Sequence, residues 1–212
     1  MSTASDARFW DRISRKYAQD AIADQAGYER TLARTRERLP PDSRVLELGC
    51  GTGSTALRLA DAVGTYLATD LSPGMIAIAQ EKLSATPVSG LAFQVATAEA
   101  EALQPGAFDV VLGFNYLHMV RDVPATLRRI CALTAPGGLF ISKTPCLGDM
   151  NPLLSRVALP LMRAVGKAPH VSVFGRDALC DLIGASGFEI LAVESHASQG
   201  KDHRPYIVAR RR

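Results

Sequence analysis

One run of sixteen residues, Val45 to Ala60 (VLELGCGTGSTALRLA), constrains this chain's fold more than any other. A short apolar stretch, Arg44 to Leu48, reads as a strand. Glycines follow at positions 49, 51 and 53, and Ser54 to Ala62 reads as a helix. A turn without Cβ atoms bends sharply and lets a ligand press against the backbone. The helix beginning near Ser54 aims its free N–H groups and positive dipole end at the same point, which suits a carboxylate or a phosphate. Two phosphate motifs do not match. The dinucleotide fingerprint GxGxxG needs a glycine where Ser54 stands, which weakens the reading as a dehydrogenase, and no Lys-Ser/Thr pair closes a P-loop.

Beyond this run, strands and helices alternate. Further strands are expected at Thr65–Thr69, Leu91–Val95, Phe108–Gly113, Leu139–Lys143, Phe188–Ser195 and Pro205–Arg210. Helices are expected at Pro73–Leu83, with Ser72 as N-cap and Pro73 opening the first turn, at Asp122–Thr134, stopped by the APGG sequence, and near Gly175. Residues 6–39 read as one or two helices, with Phe9, Trp10, Ile13 and Tyr17 at helical spacing before Pro40 and Pro41 break the chain. The alternation predicts an α/β fold: a mainly parallel sheet with helices on both faces, binding its ligand beyond the carboxyl ends of the strands at the switch point. The last two strands have no helix between them and, as neighbours, pair antiparallel.

The totals exclude several classes. Apolar residues at 47% and charged ones at 21% suit a soluble globular chain of one domain, 1–212. A net charge of +3 is too small to imply a nucleic-acid partner, and the basic end ARRR reads as a solvated tail. No signal-peptide pattern and no membrane-span run is present in the sequence. Cys50, Cys131, Cys146 and Cys180 lie far apart with no CxxC, so neither a metal site nor a disulfide framework is expected, and a cytoplasmic setting is the simplest.

The second strand runs into Asp70, in YLATDLSPGM, twenty-one residues after Gly49. A carboxylate there either takes both hydroxyls of a ribose or serves as a cap or turn residue; its place after a glycine turn and a strand favours the ribose. At this point VLELGCGTG, ATDLSPGMIAIAQEKL, FDVVLGFNYLHMV and LTAPGGLFI, in this order from Val45 to Ile141, resemble a class I S-adenosylmethionine-dependent methyltransferase, closest to the small-molecule enzymes of the ubiquinone/menaquinone type. The resemblance implies a Rossmann-like seven-stranded sheet with one reversed strand at its end. It implies that Glu47 and the backbone of Gly49, Cys50, Gly51 and Gly53 hold the methionine part of S-adenosyl-L-methionine. Asp70 would hold the ribose, with Leu71 beside the adenine and Phe114 and Asn115 near the methionine end. The adenine edge falls to Thr97 and Ala98, or to Glu99 in a shifted register, because VATAEAEAL lacks the family's aspartate. Cys50 reads as a small filler, since a buried thiol without a basic neighbour is inert.

Methyl transfer is an in-line displacement, so positioning carries most of the catalysis. A base is needed only if the acceptor keeps its proton at neutral pH. His118, in FNYLHMV, is the candidate base, although the family often has a packing histidine there; His170, His196 and His203 have less support. Tyr17, in FWDRISRKYA, is the candidate contact to the cofactor from an N-terminal helical cap, residues 1–41, while Phe9 and Trp10 read as core anchors. Residues 147–173 form a long connection, expected to be a lid. Within it, Leu153, Leu154, Val157, Leu159, Leu161, Met162 and Val165 are apolar, Arg156, Arg163 and Lys167 share one helical face, and Pro160 would kink it. Either this is a lid with a wet basic face, or residues 152–167 touch a membrane or admit a lipid-like acceptor. Lys143, Asn151 and Arg204 are candidates for the pocket rim. The expected function is methyl transfer to a small acceptor, apolar, aromatic or lipid-like. The alternatives are a non-catalytic subunit that binds S-adenosylmethionine or S-adenosylhomocysteine, and an aminopropyl transferase, for which no acidic cluster stands between Phe114 and Asp122.

Overall fold

The carboxyl ends of five parallel strands meet at one edge of a seven-stranded sheet, and the arrangement follows from local signals along the chain. The computed structural model describes residues 3–150 and 170–212. The strands are β1 Arg44–Leu48, β2 Thr65–Asp70, β3 Leu91–Val95, β4 Phe108–Phe114, β5 Thr134–Lys143, β6 Phe188–Glu194 and β7 Tyr206–Arg211. Their order is β3-β2-β1-β4-β5-β7-β6. β1 pairs parallel with β2 and β4, β2 with β3 and β4 with β5, while β7 runs antiparallel to both β5 and β6. The chain thus winds outward from β1 in one direction and from β4 in the other, and the gap between these two strands is the switch point.

The helices are α1 Thr3–Tyr17, α2 Gln25–Arg36, α3 Ser54–Leu59, α4 Pro73–Ala85, α5 Val123–Leu133 and α6 Arg176–Ala185. Leu32 of α2, Leu59 of α3 and Ile76 and Ala79 of α4 pack on one face of the sheet, against Val45, Ala68, Leu112 and Val208. Leu127 and Ile130 of α5 and Leu179 and Ile183 of α6 pack on the other face, against Leu46, Leu48, Val111 and Phe140. Burial of both faces explains why β1 and β4 read as apolar runs rather than alternating ones. The predicted cap at Ser72 is present, its Oγ accepting from the Met75 amide at 3.1 Å, and Asp122, expected as the first helical residue, is instead a second cap whose Oδ1 accepts from the Ala125 amide at 2.8 Å. α1 is tied to the start of α4, where Asp11 Oδ1 accepts from Ser72 Oγ at 2.6 Å and from the Gly74 amide at 2.8 Å.

Residues 6–39 hold two helices, within the expected one or two, while two other boundaries differ from expectation. The helix after the glycine turn ends at Leu59, and Ala60–Ala62 continue as a 3-10 turn. The APGG sequence lies inside β5: Thr134 pairs with Phe108, and the ladder resumes with Leu139 opposite Val110. Gly137 adopts φ +74°, and a Cβ at Gly138 would meet the Asp109 carbonyl oxygen at 2.7 Å, so the two glycines let a bulged strand entry lie close to β4 where a plain turn was expected. The expected lid helix, with its apolar positions, Asn151, Arg156, Pro160, Arg163 and Lys167, falls outside the described residues, as does the membrane-contact segment 152–167. Among the described residues no helix is long and apolar enough to cross a membrane.

Candidate active site

Each of the three glycines in the turn has a different neighbour. All adopt positive φ, +71° at Gly49, +54° at Gly51 and +76° at Gly53, a region costly for residues with a side chain. A Cβ at Gly49 would strike the Tyr116 ring at 2.7 Å, and one at Gly53 would strike Phe93 at 2.6 Å and Ala79 at 2.9 Å. At Gly51 the nearest described atom would be Tyr17 Cε1, at 3.8 Å. Gly49 and Gly53 therefore serve packing, and Gly51 leaves the backbone open beneath the Tyr17 ring. Lys82 of α4 steadies the turn by donating to the Thr52 carbonyl and Thr52 Oγ1, both at 3.0 Å.

Two carboxylates flank the turn without an ion-pair partner among the described residues. Glu47 is 2% exposed, and its Oε2 accepts from the Tyr66 hydroxyl at 2.8 Å. Burial pushes its carboxyl up to about 7, against the pull of that hydrogen bond. Asp70 is 7% exposed; it accepts from the Gly51 amide at 3.0 Å and the Ser72 amide at 2.9 Å, yet burial still holds its carboxyl above the usual range. Asp70 thus fixes the turn and also faces the cavity.

These groups line a cavity of about 1170 Å³ at the switch point. A drug-sized pocket measures roughly 300–1,000 Å³, so the cavity has room for a nucleoside-sized molecule and a second small one. Glu47, Gly49, Cys50, Gly51, Asp70, Leu71, Thr97, Phe114 and Asn115 all line it. Gly53 lies behind the turn. The Ala98 side chain is fully buried in the core beside α5, while Thr97 and Glu99 line the wall and Glu99 Oε1 accepts from Thr126 Oγ1 at 3.1 Å. Burial pushes the Cys50 thiol far up, in keeping with a filler. Asn115 ends β4 with φ +50°, a left-handed conformation that asparagine tolerates better than most residues.

Tyr17, 45% exposed, and His118, 6% exposed, line the same cavity. Trp10 lines it too and meets the Tyr17 ring edge-on at 5.9 Å, so Trp10 is a wall residue and not the core anchor expected; Phe9 is half-buried beside it. The His118 Nδ1 is buried with no hydrogen-bond partner, and no described residue bonds the other ring nitrogen. Burial, with a smaller push from Arg204, lowers its imidazole to about 4, so the ring is neutral at physiological pH. His170 and His203 also line the cavity. His196 does not: it is stacked on Tyr206 at 4.5 Å and bonded to Thr31 Oγ1 and Glu194.

Sequence reasoning missed Tyr66, Tyr116, Lys82 and Asp11. Only Tyr66 had a usable signal, since residues 66, 68 and 70 share one face of β2 and so put a phenol in line with the Asp70 carboxylate. The cradle suits an adenosyl amino acid: an open backbone at Gly51, two carboxylates with no ion pair among the described residues for a cationic amino end and for hydroxyl donors, and a cavity with room to spare.

The comparisons agree. The family described as a methyltransferase domain matches residues 15–193. A reducing polyketide synthase of Penicillium, grgA, is 32% identical over 194 residues, which is 85% of this chain and 8% of the synthase. The chain spans 3% to 8% of the length of the curated relatives it matches. Among solved structures, an S-adenosylmethionine-dependent methyltransferase of Mesorhizobium loti superposes with a TM-score of 0.70 at 23% identity, covering 88% of this chain and 99% of that one. The carbon methyltransferase CurJ superposes with a TM-score of 0.62 at 21% identity, covering 81% and 49%. At such identities the likeness speaks for the fold, and the family match carries the rest: this chain belongs to the S-adenosylmethionine-dependent methyltransferase domains.

Proposed function

We propose that this enzyme transfers a methyl group to a small, largely apolar carbon acid, a compound whose reacting carbon lies next to a carbonyl. Bound S-adenosylmethionine supplies an electrophilic methyl on a sulfonium. Glu47, the backbone of Gly49 to Gly53, Phe114 and Asn115 hold its amino-acid end. Asp70 and Leu71 hold the ribose and adenine, with Thr97 or Glu99 at the adenine edge. Tyr17 and the 1–41 helical cap cover the opening and exclude water. His118 takes the proton from the acceptor carbon, and the electron pair left on that carbon would then form the new carbon–carbon bond as the methyl's bond to sulfur breaks.

The observation that carries this reading is the His118 ring in the same cavity as the glycine turn, neutral and without a hydrogen-bond partner among the described residues. An oxygen or nitrogen acceptor that ionises readily needs no such base. The polyketide synthase relative and the carbon methyltransferase neighbour support a carbon acceptor, since polyketide chains carry acidic carbons between carbonyls. Four free cysteines fit a reducing compartment, and we place the protein in the cytoplasm on that ground.

The test is hydrogen–deuterium exchange at the acidic carbon of a 3-oxo ester, followed by NMR without cofactor, together with turnover of labelled S-adenosylmethionine. The wild type should accelerate both. His118→Ala should lose exchange and lower kcat by roughly 10²–10⁴-fold with S-adenosylhomocysteine affinity unchanged. Turnover of phenols or amines in preference to the 3-oxo ester, with His118→Ala fully active, would move the acceptor atom off carbon.

A further inference from the structure

The connection between β3 and β4, residues 96–107, forms neither helix nor strand. It nevertheless supplies two residues of the cavity wall, Thr97 and Glu99. Its internal backbone bonds are short-range: the Ala100 amide donates to the Thr97 carbonyl and the Leu103 amide to the Ala100 carbonyl, both at 3.1 Å. A connection of this length without a ladder is ordinarily mobile. A mobile wall would hold its side chains poorly against a ligand.

Helix α5 holds this loop from outside. Three of its residues, Thr126, Arg129 and Ala132, are spaced one turn apart and meet the loop in order. Thr126 Oγ1 donates to Glu99 Oε1 at 3.1 Å. Arg129 Nε donates to the Ala98 carbonyl at 3.0 Å, and its Nη2 to the carbonyls of Ala100 at 3.2 Å and Leu103 at 2.6 Å. The Gly106 amide donates to the Ala132 carbonyl at 2.8 Å, one of those left free at the helix end. Residues three apart lie along one face of a helix, so the loop runs lengthwise down α5. The helix is itself fixed, since Leu127, Ile130 and Leu133 are fully buried in the core.

The guanidinium is the centre of this seam. Its rigid planar fork serves three carbonyls of one loop at once, which the point charge of an ammonium does poorly. Arg129 does not line the cavity, so any effect it has on a ligand passes through the loop. Thr126 engages one oxygen of Glu99, which leaves the other for a ligand donor.

We infer that Arg129 and Thr126 are positioning residues: they hold Thr97 and Glu99 in one register against the purine edge, and so give the site its preference for a 6-amino purine. The inference rests on the reading above, which puts the adenine at Thr97 or Glu99, and deepens it by naming what fixes those two residues.

The test is calorimetry with S-adenosylhomocysteine and with its analogue carrying hydrogen in place of the 6-amino group. The wild type should bind S-adenosylhomocysteine about tenfold or more tightly, because the analogue leaves the polar wall unpaired. Arg129→Lys keeps the charge and loses the fork; Thr126→Val keeps the shape and loses the donor. Each should bind S-adenosylhomocysteine several-fold more weakly and the analogue nearly as the wild type does, so that the preference falls toward one. Urea unfolding shows which variants are folded, and Arg129→Gln, which keeps one donor, replaces Arg129→Lys if the latter is not. A folded variant with the wild-type preference would overturn the inference, since a purely structural role lowers both affinities alike. So would a wild type that binds the two ligands equally. Failure of the wild type to bind S-adenosylhomocysteine at all would instead strike the methyltransferase reading itself.

Discussion

The two halves of the cavity are built on opposite plans. On the glycine-turn side the polar groups are already engaged: Asp70 holds the Gly51 and Ser72 amides, Tyr66 holds Glu47, and Lys82 holds the Thr52 carbonyl. On the β5 and β7 side, among the described residues, Lys143 donates only to Thr31 Oγ1, the exposed Arg204 has no close ion pair, and His118 Nδ1 has no hydrogen-bond partner. The first half is a preorganised cradle, which saves a ligand the cost of ordering it. The second leaves one buried polar atom, His118 Nδ1, without a hydrogen-bond partner among the described residues, an arrangement that is destabilising alone and becomes favourable when a complementary molecule arrives. Stability and cofactor binding should therefore be concentrated in the first half, and turnover and acceptor choice in the second.

The sharpest way to break this division lies in the glycine turn. Gly53→Ala forces a side chain into a left-handed conformation and onto Phe93 and Ala79, and should lower stability by about 2–4 kcal/mol in urea unfolding. Gly51→Ala shares the left-handed strain but would meet only Tyr17 Cε1, at an ordinary 3.8 Å, so it should lose less stability while weakening S-adenosylhomocysteine binding, read by calorimetry. Equal destabilisation by the two substitutions would mean that Gly51 is a packing residue and that the cradle is misplaced. A smaller effect is expected at Asp70. Asp70→Asn keeps the volume but points an amide donor at another donor, and should weaken S-adenosylhomocysteine by about 1–3 kcal/mol. Wild-type affinity in that variant would separate the turn-fixing role from any role in binding.

The same contrast decides what could be read in the sequence. Strand, turn, helix and the acid that follows lie within Arg44 to Asp70, so hydrogen-bond ladders, glycine conformations and caps are all short-range matters. The strands of this region were legible almost to the residue, and so was the cofactor. Only the end of the helix after the turn, where Ala60–Ala62 tighten into a 3-10 turn, was missed. The acceptor half gathers Tyr17, His118, Lys143 and Arg204 from separate elements. No period or motif encodes their meeting, because it depends on how α1, α2 and the approach to β7 dock on the sheet. Asp11 shows the same limit: it looks like an ordinary polar residue of α1, yet it binds the start of α4 across 61 to 63 residues of chain. The bulged entry of β5 was misread for a local reason, since Pro-Gly-Gly signals a turn whether or not the strand has already begun.

Glu47 offers the finest test, because one group should give two slopes of opposite sign. Burial raises its carboxyl to about 7 in the folded chain from the ordinary glutamate value near 4.5. Between these values the folded state holds a proton that the unfolded state has lost, so stability falls as pH rises through that window and levels off above about 7. A ligand with a cationic amino end favours the ionised form instead, so affinity for S-adenosylmethionine should rise through the same midpoint, by about tenfold between roughly pH 6 and 8. Glu47→Gln stays neutral throughout. It should flatten both slopes, gain stability relative to the wild type at alkaline pH, and hold its cofactor affinity at the low value that the wild type shows in acid. Chemical denaturation and calorimetry at matched pH values read the two quantities separately. If affinity rose with pH in the variant as it does in the wild type, the proton would belong to another group. Asp70, the other buried carboxylate at the turn, would then be the first to examine.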